Sequence, residues 1–340
     1  MKSQHQPLTE YPHGWFAVGY SADIKPGQVK KRRLFGHELV LFRTKSGKAA
    51  LFDAYCPHLG AHLGHGGTVQ GESIRCPFHG LCFGLDGECT SSPHDDNKMS
   101  LTKWELIEHG GFLFTYFDLN NNAKSWELPL WDDSSYSNLK SGCEVMRGHP
   151  QDVLENNVDF SHLGALHGFE FLPTNVQISE TGPTFNIVAA LERRGNLFAR
   201  KRIRATYKIF LQGLGISYTD VEVPEQKLKL RLFGMVTPVD PGIIELRLAV
   251  QVHQIAEPQR IHPFLRLLPK RWVETLILHQ AHRAFVSDAS EDFPIWQNKA
   301  YIPSPGSLQS NGSILRYRQW AQQFYRHHPE RSALVSGIFT

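Results

Sequence analysis

Four residues in one short stretch have the types and spacing of metal ligands: Cys56-x-His58, then seventeen residues, then Cys76-x-x-His79. The histidines recur as regularly as the cysteines, so a disulfide does not account for the pattern. Structural zinc usually arrives on paired cysteines or on a histidine pair with three to five residues between. Here each loop contributes one cysteine and one histidine. That mixture suits a [2Fe–2S] cluster with two thiolates on one iron and two neutral imidazoles on the other, which is easier to reduce than an all-cysteine cluster. Pro57 and Pro77 stiffen the loops, and Gly60 and Gly80 leave room for backbone N–H groups to approach the sulfides. His62 and His65 read as loop residues, and Cys82, Cys89 and Cys143 as free thiols.

A second group lies downstream, Asn156-x2-Asp159-x2-His162-x4-His167. Two imidazoles close to a carboxylate have the residue types of a metal-binding site. Five residues of regular α-helix turn by about 500°, which leaves the two histidines about 140° apart. A regular helix cannot converge them, and an interruption near Gly164 is expected.

These residues must be positioned by folded elements. At 340 residues, 41% hydrophobic and 20% charged, the chain has the composition of a soluble globular protein of two domains. A net charge of +3, with no basic run longer than Lys30–Arg33, gives no electrostatic footprint for nucleic acid, and that run reads as a solvated face. The opening residues lack the apolar core of a secretory signal, and no stretch approaches the ~18 apolar residues of a membrane span. Five cysteines without an export signal fit a reducing cytoplasm.

Between Trp15 and Phe117, short β-branched runs broken by Gly and Pro predict a small antiparallel β-domain. The polar stretch 118–129 reads as a linker or surface turn. A helical segment over 151–168, strand-like runs between 176 and 252, and amphipathic helices over 263–287 and 315–328 predict a helix–sheet–helix domain. The fold class is α+β, with a tail over 1–13, the β-domain over 14–120, a linker over 121–145 and the second domain over 146–340.

Together the two motifs resemble those of the Rieske non-heme iron oxygenases, and the resemblance runs through nearly the whole chain. It implies an all-β Rieske [2Fe–2S] domain, its cluster on Cys56, His58, Cys76 and His79, followed by a catalytic domain of helix-grip (START-like) fold, an antiparallel sheet curled around a long helix. Respiratory Rieske proteins brace the two loops with a disulfide; the corresponding places here are Ala61 and Phe78, so the resemblance is to the oxygenase form. It implies mononuclear Fe(II) on His162 and His167. The stretch "SEDFPIWQNKAYIPSP" resembles the D-x-x-I-W-x-x-K segment that follows the long helix in the family. That frame makes Asp292 the carboxylate ligand, with Asp288, four residues earlier, as its competitor. The resemblance further implies that Asp159 bridges His79 of one subunit to His162 of the next in a head-to-tail homotrimer, and that Asn156 sits beside the iron without binding it strongly.

The implied activity is that of a terminal oxygenase using O₂. No G-x-G-x-x-G is present, so NAD(P)H acts only through a separate flavin/iron–sulfur reductase, with or without a ferredoxin. The stretch 306–325 and the D-F-P-I-W-Q-N-K segment resemble the 3-ketosteroid 9α-hydroxylase and cholesterol 7-desaturase branch. This implies hydroxylation or desaturation of a bulky apolar, sterol-like substrate by a cytoplasmic form without the membrane anchor of the animal sterol desaturases. Oxidative demethylation or hydroxylation of a smaller aromatic compound is the alternative. A pure Rieske electron carrier would need only about 100 residues and leaves His162 and His167 unexplained; a lipid-binding helix-grip protein would explain neither motif.

Overall fold

Every second residue of Ile243–Val252 is apolar (Ile244, Leu246, Leu248, Val250, Val252), the period of a strand with one face on a core. In the computed structural model of the chain, this strand lies second in an eight-stranded antiparallel sheet. The order is Lys140–Arg147, Ile243–Val252, Leu228–Asp240, Ile216–Val223, Arg202–Gln212, Thr184–Arg194, Phe169–Phe171, with Gln177–Thr181 also pairing Thr184–Arg194. The structure describes residues 8, 10–91, 99–119, 124–171, 176–194, 202–303 and 311–325. Most of the expected tail therefore lies outside the described residues.

The β-domain consists of three small antiparallel sheets. Residues 54–67 connect Ala49–Asp53 to Thr68–Gln70, and residues 76–81 connect Ser73–Arg75 to Cys82–Phe83. Trp15, Phe112 and Phe114 of this domain share a core with Ile216, Phe233 and Ala249 of the large sheet. This contact explains why the polar face of Ile243–Val252 is buried as well: Glu245, Arg247 and Gln251 are 9%, 2% and 3% exposed. Arg247 Nη1 and Thr237 Oγ1 both donate to the Ala17 carbonyl, at 2.8 and 2.7 Å. Arg32 and Arg247 pair with Glu245, and Arg33 grips Asp240 with two nitrogens at 2.7 and 2.9 Å. The Lys30–Arg33 run is thus only half a solvated face, because its two arginines tie one domain to the other.

Three expected boundaries shift. Lys140–Arg147 pairs along Ile243–Val252, so the stretch expected as linker, 121–145, contains most of an edge strand. Being an edge strand, it buries only Met146 and lacks a clear apolar period. The helix expected over 151–168 is two, α1 (Pro150–Glu155) and α2 (Phe160–Ala165). Asp159 caps α2 by accepting from the Ser161 N–H at 3.1 Å. The helix expected over 263–287 begins later and runs on: Pro263–Leu267 is 3₁₀, and α3 spans Lys270–Asn298 through Pro294. Asp292 therefore lies within the long helix, not after it. The last helix, α4, is Asn311–Ala321, continued by a 3₁₀ turn over Gln322–Phe324; of the stretch expected to reach 328, residues 326–328 lie outside the described residues.

Candidate metal centres

The two cysteine–histidine loops share one backbone design. Cys56 N–H donates to the Ala61 carbonyl (2.9 Å) and Gly60 N–H to that of Cys56 (2.9 Å); Cys76 N–H donates to Leu81 (2.8 Å) and Gly80 N–H to Cys76 (3.2 Å). Both glycines sit at positive φ, +71° and +76°, where a side chain would be strained. Their N–H groups close the loops on the cysteine carbonyls.

Cys56 and Cys76 are 3% and 1% exposed, while His58 is exposed and His79 partly so. The two imidazoles meet edge to face with 4.6 Å between centroids. Burial pushes the Cys56 thiol up to about 11, with Cys76 beside it adding to the effect. A thiol so placed ionises more readily where a bound cation compensates its charge. Two buried sulfurs and two more exposed imidazoles fit the donor set of a Rieske cluster. No cysteine is in a disulfide. His62 Nδ1 accepts from the Gly64 N–H at 3.0 Å and its Nε2 lies 3.5 Å from Glu38, consistent with a loop residue.

The second centre forms where α2 ends. Leu166 N–H closes on the His162 carbonyl, and Gly168 at φ +65° turns the chain away. His162 is on the helix and His167 beyond it, so the two rings converge at 5.3 Å between centroids. The break falls just after Ala165, one residue past the expected place. From α3, Asp292 approaches with Oδ2 3.2 Å from His167 Nε2 and Oδ1 4.0 Å from His162 Nε2. The ligand atoms of these three residues lie within 4.8 Å of one another, the one such group of three among the described residues. Two neutral imidazoles and a carboxylate fit non-heme Fe(II).

Asn156 Nδ2 donates to Asp292 Oδ1 at 3.0 Å and so holds the carboxylate. Burial raises the Asp292 carboxyl above its usual range, while His162, His167 and Asn156 work in the opposite direction. His167 Nδ1 faces Glu291 Oε2 at 2.9 Å. Sequence reasoning missed Glu291, whose one signal was its place beside Asp292. His162 Nδ1 meets the backbone carbonyl of Asp159, not its carboxylate. Asp288 lines the same cavity without joining the three-residue group.

The group lines a cavity of about 740 Å³ between the sheet and α3. Leu191, Ile203, Val221, Leu232, Leu248 and Phe285 make its walls predominantly apolar. Inward positions of adjacent strands alternate with outward ones, which is why Ser217 and Gly234 face each other on its floor.

The model of the Rieske [2Fe-2S] domain matches residues 14–108, and that of the 3-Ketosteroid 9alpha-hydroxylase C-terminal domain matches residues 115–325. Cholesterol 7-desaturase nvd 1 of Ciona intestinalis is 29% identical over 348 residues, spanning 96% of this chain and 71% of the relative. The "Probable 3-ketosteroid-9-alpha-monooxygenase, oxygenase component" of Rhodococcus rhodochrous is 26% identical over 336 residues, spanning 94% of this chain and 81% of the relative. Among solved structures, Pseudomonas putida CBB5 NdmA with caffeine superposes with a TM-score of 0.66 at 18% identity, over 91% of this chain and 89% of that one. Dicamba monooxygenase bound to dicamba does so with a TM-score of 0.65 at 14% identity, over 93% and 98%. At such identities these structures establish the fold alone. With a Rieske domain followed by a C-terminal domain matched through most of its length, the chain belongs to the Rieske oxygenases, in the family of the 3-ketosteroid 9α-hydroxylase C-terminal domain.

Proposed function

We propose that the chain is the cytoplasmic terminal oxygenase of a multicomponent system that hydroxylates or desaturates a bulky apolar, sterol-like substrate. The observation that carries the reading is the apolar cavity lined by His162, His167 and Asp292. When bound, the mononuclear iron supplies reductive activation of O₂, and the cluster supplies its electrons. His162, His167 and Asp292 would hold that iron, and Cys56, His58, Cys76 and His79 the cluster.

The chain's own residues bind, orient and exclude water. Ala281 and Asp292 both line the cavity and are eleven positions apart on α3, about 16 Å along its axis. A rigid multi-ring skeleton can lie along that length with one edge at the metal. The apolar walls favour such a skeleton and dry the site. Asn156 keeps the Asp292 carboxylate turned toward both histidines. Names of the relatives support the substrate class, since both act on steroids: a cholesterol 7-desaturase and a 3-ketosteroid monooxygenase component. The latter's name also supports a separate reductase. The proposed trimer would place His79 of one subunit beside Asp159 and His162 of the next.

The test is turnover with a surrogate reductase on a panel of sterols, 3-ketosteroids and aryl ethers. Mass spectrometry distinguishes gain of one oxygen, loss of two hydrogens, and loss of a CH₂ unit. Oxidation of sterols or ketosteroids is expected. Turnover confined to aryl ethers would replace this reading with that of a demethylase for smaller aromatics.

A further inference from the structure

The protein surface at the start of α3 differs from an ordinary water-facing one. Phe264, Leu267, Leu268, Trp272 and Leu276 are 72%, 71%, 41%, 61% and 43% exposed. Between them, Leu265 and Val273 are buried against Val221, Val223, Leu228 and Val252. Two side chains anchor the segment to the sheet while five large apolar ones turn outward. Scattered exposed apolar residues are ordinary, but five within thirteen positions mark a binding surface. Arg266, Lys270 and Arg271 are interleaved with them, exposed, and form no ion pair among the described residues. Arg260 is already matched by Glu257 at 2.7 Å, and Glu274 is the one acid within the segment.

We propose that residues 260–276 are a docking surface for a lipid bilayer carrying anionic headgroups. Trp, Phe and Leu suit the boundary between headgroups and acyl chains, and interleaved Lys and Arg suit its phosphates. Charge weighs against a two-fold contact with a second copy of the chain, which would set the patch's three cations against themselves. Position weighs against an electron donor. The core beneath the patch, from Ile203 to Leu278, contains no residue of the β-domain that carries the cluster loops. No helix among the described residues is long and apolar enough to cross a membrane, so the association is peripheral.

Ala205, Val221 and Val223 belong both to this core and to the cavity wall. The docked bilayer therefore lies over this part of the cavity wall, where an apolar substrate could enter from lipid without crossing water. That consequence rests on the apolar-substrate reading; the docking itself does not.

Co-sedimentation of the purified full chain with vesicles tests the docking without any substrate, so its outcome is independent of what the enzyme oxidises. Vesicles of phosphatidylcholine with phosphatidylglycerol should bind the protein at low salt at least about tenfold better than phosphatidylcholine alone, and less well as salt rises. Neutralising Arg266, Lys270 and Arg271 to Gln should weaken this binding by about a hundredfold, about fivefold per charge. Leu267→Ser with Trp272→Ser should also abolish it, with the cluster spectrum and iron content unchanged. Wild-type protein that stays in the supernatant with every vesicle would overturn the proposal, as would variants that bind like wild type. If the serine variant changes oligomeric state in sedimentation velocity, the patch is an interface between copies. If it keeps vesicle binding but loses reductase-driven cluster reduction, the patch serves the reductase.

Discussion

His167 Nδ1 lies 2.9 Å from Glu291 Oε2, and its Nε2 lies 3.2 Å from Asp292 Oδ2. An Nδ1–H donated to Glu291 would leave the Nε2 lone pair available to a metal, orient the ring and make it more basic. Glu291→Ala is expected to keep the fold and the cluster while weakening mononuclear iron binding about 10–100-fold. Iron retained per chain after dialysis against a chelator measures this, and Glu291→Gln, which keeps an acceptor, should recover part of the loss. At the same scale, His162→Ala and Asp292→Ala should each lose the mononuclear iron with the visible spectrum of the cluster intact. Asp288→Ala should retain that iron. The reverse result for the two aspartates would move the third ligand to Asp288.

Among the elements, α1 depends on a buried histidine. His149 Nδ1 accepts from the Gln151 N–H at 3.2 Å, capping the helix, and its Nε2–H donates to the Glu10 carbonyl at 3.0 Å. Both bonds need the neutral ring in one tautomer. Burial lowers the pKa of His149 below its ordinary 6.5, against smaller opposing effects of Glu10 and Asp152. Well above 6.5 the ring is neutral in both folded and unfolded chains, so it adds no pH dependence. Below 6.5 the unfolded chain takes up a proton that the folded one refuses, so stability falls with pH until the lowered folded value is reached. The urea midpoint of wild type should therefore drop between about pH 7 and about pH 5.5. His149→Asn, which preserves a capping acceptor, should be less stable at neutral pH by about 1 kcal/mol and should show a shallower acid decline. An equal decline in the variant would remove His149 as its source.

For the whole molecule, the decisive question is how electrons reach the iron. The cluster histidines face the surface, and Asp159 is half-buried with one carboxylate oxygen on the Ser161 N–H. Its other oxygen can accept from an imidazole of a neighbouring subunit, the arrangement a head-to-tail trimer requires. Asn caps helices as well as Asp, so Asp159→Asn should preserve fold, cluster and iron. It should still slow electron delivery to the iron by orders of magnitude, read by single-turnover kinetics of a pre-reduced cluster. Mixed trimers separate the routes: a cluster-dead chain (Cys76→Ser) and an iron-dead chain (His162→Ala) should each be inactive and regain part of the activity when co-assembled. A co-assembled mixture that stays inactive would refute transfer between subunits.

The candidate donors were legible in the sequence, because each cysteine–histidine pair sits within one short loop and the two histidines near α2 lie five positions apart. The sequence also determined strands such as Ile243–Val252, whose alternation records one buried face. The need for a break between His162 and His167 followed from helix geometry. Tertiary structure decided what depends on distant partners. Asp288 and Asp292 are one helical turn apart and project similarly, so only the packing of α3 against α2 brings Asp292 between the histidines. Glu291 meets His167 across 124 positions. Glu245 and Arg247 look solvent-facing by alternation, yet they are buried because a second domain covers that face. The edge strand Lys140–Arg147 carries little pattern because it buries little. Local spacing encodes a donor set, whereas burial and convergence arise when separate elements compete for the same apolar surface.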